Sequence, residues 1–91
     1  MRAIIAVAAL VTCGTVHAGA DCPEYPKSEW MDVFALQQKI FNEYGFAIKK
    51  FKVDDECYEI YGWQKSDNGE EQKVEVYFDA KTGAIVKKEV D

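Results

Sequence analysis

The sequence predicts a small α+β domain in which one N-terminal amphipathic helix packs on a three- to four-stranded antiparallel sheet. Three observations support this fold class. Apolar residues recur at spacings of three and four before Gly45, which is typical of a helix with one buried side. After Gly45 apolar and polar residues alternate, as they do in strands, and short turn signals separate the alternating stretches.

The first twenty residues have the pattern of a secretory signal peptide. A positive start at Arg2 precedes the apolar run Ala3 to Val11, and Ala18-Gly19-Ala20 fits the small-x-small cleavage pattern. We therefore predict a signal peptide over residues 1–20, cleaved after Ala20, and one domain over residues 21–91. The apolar run is shorter than the about 20 residues that a membrane-spanning helix needs. The predicted location is periplasmic or secreted.

Two alternatives apply to this leading segment. It could instead form a short buried N-terminal helix. The stretch Leu10 to Cys13 also resembles a bacterial lipoprotein signal, in which Cys13 would carry a lipid anchor. Thr12 is a poor residue immediately before such a cysteine, so lipid anchoring is the less favoured interpretation.

Composition excludes several classes of function. Without the leader, ten lysines face sixteen acidic residues, a net charge of −6, which argues against nucleic acid or an anionic membrane as partner. The single histidine, His17, and the single arginine, Arg2, both lie in the leader. The remaining chain therefore lacks the groups for histidine-based acid–base catalysis, a Ser-His-Asp triad or a histidine metal site. We predict no enzymatic activity and no cofactor.

Two cysteines, Cys22 and Cys57, remain after the leader. In an exported chain an even number of cysteines indicates a disulfide. A redox role is disfavoured because no Cys-x-x-Cys motif is present, and a zinc site would need two further ligands. Cys22 belongs to the stretch Asp21 to Lys27, whose two prolines favour extended backbone. We interpret this stretch, called the arm below, as pinned to the domain by the disulfide.

The helix is predicted from about residue 32 to residue 44. Ser28 or Asp32 could cap it, because either side chain can accept a hydrogen bond from a free N–H of the first turn. Gly45 is a suitable stop, since it adopts the left-handed conformation readily. The apolar stripe consists of Val33, Leu36, Ile40 and Tyr44.

Four alternating segments follow the helix. They begin at Phe46, Cys57, Lys73 and Ala84, and the turn signals between them are Asp54 to Glu56, Ser66 to Gly69 and Asp79 to Gly83. The phase of the first segment slips between Ile48 and Phe51, which predicts a bulge near Lys49-Lys50. Either the segment Lys73 to Asp79 or the last one is expected to be an exposed edge, protected by lysines.

The domain is rich in aromatic residues outside the leader, and core packing explains part of this content. Trp30 and Phe34 are expected to extend the apolar side of the helix towards the arm. Aromatic residues on a sheet face that the helix leaves uncovered would form a binding patch, because Tyr and Trp are favoured at the centres of interfaces. The candidate binding surface consists of Tyr58, Tyr61, Trp63 and Tyr77.

Two acidic sets contain residue types that could bind a metal ion or catalyse a reaction. The carboxylates near the second turn offer hard oxygen ligands for calcium, but the spacing of an EF-hand is absent; they are Asp54, Asp55, Glu56 and Glu59. Glu59 and Glu75 could form a carboxylate pair of the glycosidase type. A domain of this size has little room for a cleft, so surface carboxylates are the favoured interpretation of both sets.

Two stretches carry a resemblance to a known family: "EYGFAIKKFKVDDECYEIYG" and "VEVYFDAKTGAIVKK". In order along the chain, a helix ends at Gly-aromatic, a strand leads to an acidic turn, a "cYE" strand follows, and a TG hairpin closes the domain. The sequence resembles small secreted bacterial proteins with a single PepSY domain after a signal peptide. It departs from them at Ala80, where the family usually has proline.

The resemblance implies a function class. PepSY domains occur in propeptides of thermolysin-type metalloproteases and in envelope proteins, and no catalytic residues are assigned to them. We therefore expect a non-enzymatic periplasmic or secreted binding module that regulates or inhibits a peptidase or another envelope protein. The alternative is a small-ligand or metal-ion carrier of the cell envelope.

Overall fold

A computed structural model describes residues 19–91. A 3₁₀ turn, Lys27–Glu29, leads into helix α1, Val33–Lys39, which continues as a π-helical turn, Ile40–Tyr44. Four strands follow: β1 (Ala47–Asp54), β2 (Cys57–Lys65), β3 (Glu71–Asp79) and β4 (Ile85–Val90). They form one antiparallel sheet in the order β1-β2-β3-β4. The predicted α+β fold class is confirmed, with four strands.

The helix begins and ends where the sequence predicts, but its second half is wider than an α-helix. Of the two predicted caps, Asp32 is the one used: its carboxylate accepts a hydrogen bond of 3.1 Å from the Ala35 N–H. At the other end the N–H groups of Gly45 and Phe46 both donate to the Ile40 carbonyl. Gly45 closes the helix with a φ of 77°, a value that glycine adopts without strain.

The apolar stripe of the helix is narrower than predicted. Leu36 and Ile40 are fully buried, whereas Val33 is largely exposed. The prediction that Phe34 extends the apolar side is wrong, because its side chain is 73% exposed. Phe41 also faces solvent, so the helix presents two phenylalanines outward.

The predicted turns and the predicted bulge are present in the sheet. The register of β1 against β2 shifts between Ile48 and Lys50, and Asp55 in the following turn has a φ of 53°. The edge strands are β1 and β4. Of the two edges that the sequence allowed, β4 is therefore correct, and β3 is wrong because it pairs on both sides.

One face of the sheet packs on the helix and contains the main core. The buried apolar residues of this core are Leu36, Ile40, Phe46, Tyr58, Ile60, Val74, Val76, Phe78 and Ala80. Tyr58 anchors the entry to the helix, because its hydroxyl donates 2.8 Å to the Met31 carbonyl and its ring meets Trp30 edge-on at 5.1 Å.

The arm crosses the opposite face of the sheet. Cys22 and Cys57 form a disulfide with their Cα atoms 5.5 Å apart, which confirms the predicted pairing. The Tyr25 hydroxyl donates 3.0 Å to Asp79, and the Trp30 indole N–H donates 3.1 Å to the Tyr25 carbonyl. The disulfide and these two bonds hold the arm at the end of this face where Cys57 and Asp79 lie.

The predicted leader lies almost wholly outside the described residues, including His17 and Cys13, and its cleavage stays a prediction. Gly19 and Ala20 are described. The Gly19 carbonyl accepts a hydrogen bond of 3.0 Å from the Lys87 ammonium, and the Ala20 carbonyl lies 3.6 Å from the Cys57 sulfur. Within residues 19–91, no helix is long and apolar enough to cross a membrane.

Candidate functional site

The sheet face opposite the helix, called the open face below, is set by the alternation of β2 and β3. Side chains of successive strand residues point to opposite faces. Cys57 and Asp79 pair across β2 and β3, and both lie on this face. The two residues of every second pair after them lie on it as well. Its residues on the two central strands are Cys57, Glu59, Tyr61, Trp63, Lys73, Glu75, Tyr77 and Asp79. The arm covers only the end of this face that carries the disulfide.

The structure brings only part of the predicted aromatic patch together. Tyr61 and Trp63 lie on the open face and are partly exposed. Tyr77 shares that face but is 2% exposed, with Gly19 lying close to its ring. Tyr58 lies on the helix side, within the core, so its inclusion in a binding surface is wrong. The candidate surface therefore narrows to Tyr61 and Trp63.

A groove of about 260 Å³ opens beside these two aromatic side chains. It lies at the end of the open face that the arm does not reach. Its lining residues are Lys49, Tyr61, Gly62, Trp63, Lys73, Val74, Glu75 and Asp91. The two exposed aromatic rings are the feature of this groove that is enriched in protein-binding surfaces, whereas Lys, Glu and Asp are depleted from the centres of such surfaces.

Lysines of β1 lie over both aromatic rings of the groove. The Lys49 ammonium is 5.8 Å from the centre of the Trp63 ring, and the Lys52 ammonium is 5.6 Å from the centre of the Tyr61 ring. A cation within about 6 Å of a ring centre is attracted by the negative face of the ring. These contacts hold positive charge beside the groove although the chain as a whole is acidic.

A carboxyl cluster lies beneath the groove, in the middle of the open face. Glu59 is 1% exposed, and its nearest cation is the Lys52 ammonium, 3.7 Å from Oε1. On the neighbouring strand, the Tyr77 hydroxyl donates 2.7 Å to Oε2 of Glu75. Glu59 and Glu75 therefore lie on adjacent strands as the sequence suggested, but Glu59 is inaccessible to a sugar substrate.

The environment shifts the pKa values of this cluster in opposite directions. Burial, followed by a hydrogen bond to Glu75, raises the pKa of Glu59 to about 7. The hydrogen bond from Glu59 is the main reason that the pKa of Glu75 lies below its ordinary value. The negative charges of Glu59 and Glu75 raise the pKa of the Tyr61 hydroxyl. These directions make Glu59 the member of the pair that retains a proton to higher pH.

Sequence patterns did not reveal that Glu59 is buried. The only available signal was its position in the middle of "CYEIYGW", where a charged residue alternates with bulky ones on both sides. Its burial follows from tertiary structure, because three other side chains of the open face surround it: Lys52, Tyr61 and Tyr77.

The predicted calcium alternative has no support in the structure. Asp55 is exposed in the turn, whereas Glu59 is buried in the sheet. No group of three or more metal-binding side chains occurs among the described residues. The idea of a metal carrier therefore rests on no observation from residues 19–91.

Comparison with a family model shows the protein family of the chain. The model described as "Peptidase propeptide and YPEB domain" (PepSY_2) matches residues 2–89. The chain belongs to this PepSY family. No curated protein and no solved structure matches it.

Membership fits the architecture described above. The PepSY match extends from before the described residues to the last strand, so the helix and all four strands belong to one family domain. The family description names peptidase propeptides, which places this PepSY chain among modules of the propeptide type. The resemblance deduced from "cYE" and the TG hairpin is confirmed.

Proposed function

We propose that this PepSY protein is a non-enzymatic, extracytoplasmic binding module that regulates a peptidase or another envelope protein through the groove beside Tyr61 and Trp63. The observation that carries this proposal is the groove itself: two partly exposed aromatic residues border it at the end of the open face that, within residues 19–91, the arm leaves uncovered. The family description, with its peptidase propeptides, supports a peptidase as partner.

The arrangement of the groove favours protein recognition. Interface centres are enriched in Tyr and Trp, which bury a large area with little loss of side-chain entropy. The edge strand β1, with its unpaired backbone groups, borders the groove at Lys49. An extended segment of a partner could pair with β1 and place side chains in the groove, as in other strand-addition complexes.

The test compares two aromatic surfaces of the same protein. The disulfide-intact chain is immobilised and exposed to the secreted and envelope proteins of a bacterium, and thermolysin-type peptidases are assayed in its presence. Tyr61→Ala/Trp63→Ala should abolish specific capture and any inhibition. The control Phe34→Ala removes an exposed aromatic residue of the helix that does not line the groove and should leave both unchanged.

Two results would contradict the proposal. In the first, both variants capture a protein and inhibit a peptidase as well as the parent chain does, which would exclude the groove as the binding site. In the second, the parent chain neither captures a protein nor changes the activity of any peptidase tested.

A further inference from the structure

The Glu59 carboxyl is the most deeply buried charged group among the described residues; Asp79, the other buried acid, is 8% exposed against 1% for Glu59. Asp79 receives hydrogen bonds from Tyr25 and from the backbone N–H groups of Lys81 and Thr82. Oε2 of Glu59, by contrast, accepts no hydrogen bond from a donor group of the described residues. Burial of an ionised carboxylate without hydrogen-bond donors costs free energy. Protonation of Glu59 removes this cost.

A proton on Glu59 satisfies both carboxyl groups of the cluster. An ionised carboxylate only accepts hydrogen bonds, whereas a protonated one also donates. Protonated Glu59 can therefore donate to the Glu75 carboxylate on the next strand. Glu75 already accepts a hydrogen bond of 2.7 Å from the Tyr77 hydroxyl, so it is the member of the pair that is stabilised as an anion.

Loss of that proton has a defined structural consequence. Two adjacent carboxylates repel each other, and the cation that can compensate is Lys52, whose ammonium lies 3.7 Å from Glu59 Oε1. The same ammonium lies over the Tyr61 ring at 5.6 Å. An ionised Glu59 would draw Lys52 inward, away from the ring that borders the groove.

We propose that Glu59 is a proton-operated switch built into the open face: the protonated form binds Glu75 and leaves Lys52 over Tyr61, and the ionised form recruits Lys52 and loosens the centre of the sheet. The switch does not depend on the identity of any partner. It stands even if the groove binds nothing.

The groups that face Glu59 come from every strand of the sheet. The charged and titratable residues on its side are Lys49, Lys50, Lys52 and Asp54 of β1, Tyr61 of β2, Lys73, Glu75, Tyr77 and Asp79 of β3, Lys87 and Glu89 of β4, and Asp91 just beyond β4. The arm adds Tyr25, whose hydroxyl donates to Asp79 on this face. Among these groups only Lys52 brings an ammonium within 4.0 Å of the Glu59 carboxyl.

The sign of the pH effect follows from proton linkage. Burial raises the pKa of Glu59 from an ordinary value of 4.5 to about 7 in the folded chain. The folded state therefore holds this proton more tightly than the unfolded state. Its contribution to stability is complete below pH 4.5, declines as the pH rises, and is lost once the pH passes about 7.

Few other groups titrate in that window. Residues 19–91 contain no histidine, and Cys22 and Cys57 are joined in the disulfide. The one histidine of the chain, His17, would titrate nearby, so every experiment uses a His17→Asn background.

The first experiment observes the proton directly. The full chain, labelled with ¹³C at glutamate side-chain carboxyls, is titrated by NMR from pH 3 to pH 9, and the Glu59 signal is assigned by its absence in Glu59→Gln. We expect its midpoint near neutrality, with a parallel shift of the Tyr61 ring signals. A Glu59 midpoint below pH 5, together with the surface carboxyls, would overturn the proposal.

The second experiment measures the consequence for stability. The melting temperature of the parent chain should fall by about 5 °C or more between pH 5 and pH 8. Glu59→Gln, which imitates the protonated acid, should lose most of this fall, and Glu24→Gln, which changes an exposed carboxylate of the arm, should retain it. An equal fall in all three proteins would refute the switch. If Glu59→Gln does not fold, the melting curves of the parent and the NMR titration decide the question.

Discussion

At the scale of single residues, a close approach of the β1 backbone to β2 depends on Gly62. A Cβ atom at this position would collide with the Ala47 carbonyl and with the backbone of Ile48. These residues precede the bulge at which β1 shifts its register against β2. Glycine is required here because the bulged strand lies too close for any side chain, and its φ is not in the left-handed region.

We therefore expect Gly62→Ala to destabilise the domain strongly, by about 3 kcal/mol or more, because strand β1 must move to admit the methyl group. The measurement is urea unfolding followed by tryptophan fluorescence. The control is Gly69→Ala, where nothing lies within 4 Å of the added Cβ. Its positive φ should cost only about 1 kcal/mol. Equal losses in the two variants would contradict the role assigned to the close approach.

Residue-scale predictions from sequence succeeded where the signal was local. Two examples are the disulfide partner of Cys22 and the helix cap, for which the sequence allowed Ser28 or Asp32 and the structure uses Asp32. The predicted binding surface fails in part at Tyr58 and Tyr77, because the burial of both side chains depends on contacts that are distant in the sequence. Alternation separates Tyr58 from Tyr61, but it cannot tell which face the helix will cover, or that Gly19 will lie against Tyr77.

At the scale of elements, helix α1 is too short to be stable by itself. It has seven residues before the π-helical turn, and isolated helices shorter than about 12 residues are marginal in water. Burial of Leu36 and Ile40 and the cap at Asp32 must therefore maintain it. The sequence located its ends at Asp32 and Gly45 because caps are local signals. The wide turn was not predicted, since the hydrogen bond from Phe46 to Ile40 depends on where β1 begins.

We predict that Asp32→Ala lowers the free energy of unfolding by about 1 kcal/mol, because the Ala35 N–H loses its acceptor at the first turn. Hydrogen exchange at the Ala35 amide should accelerate more than exchange in β2 and β3. The matched control is Asp67→Ala, an exposed aspartate in the loop before β3, which should change neither quantity. A protected Ala35 amide in the variant would show that packing alone fixes the helix start.

At the scale of the whole molecule, the helix and the arm cover the two faces of the sheet to different extents. The helix packs on one face and covers the buried apolar residues of β2 and β3, whereas, within residues 19–91, the arm covers one end of the other face and leaves the groove open. The arm has little apolar surface of its own, with an exposed Asp21, Pro23, Glu24 and Pro26. Its attachment therefore depends on the disulfide more than on packing.

The disulfide should consequently supply a large part of the stability of this small domain. It closes a loop of 35 residues, for which the chain-entropy model gives about 4 kcal/mol, against about 5–15 kcal/mol for a whole domain.

Cys13→Ser and Cys13→Ser/Cys22→Ser are compared, because removal of Cys13 prevents it from pairing with Cys57 once Cys22 is absent. The double variant should unfold at a much lower urea concentration, and trypsin should cleave it faster after Lys27 because the arm is released. Native-like far-UV circular dichroism should persist without denaturant, since the core between the helix and the sheet contains neither Cys22 nor the arm. Identical urea midpoints and identical cleavage rates would mean that Tyr25 and Trp30 hold the arm without the covalent bond.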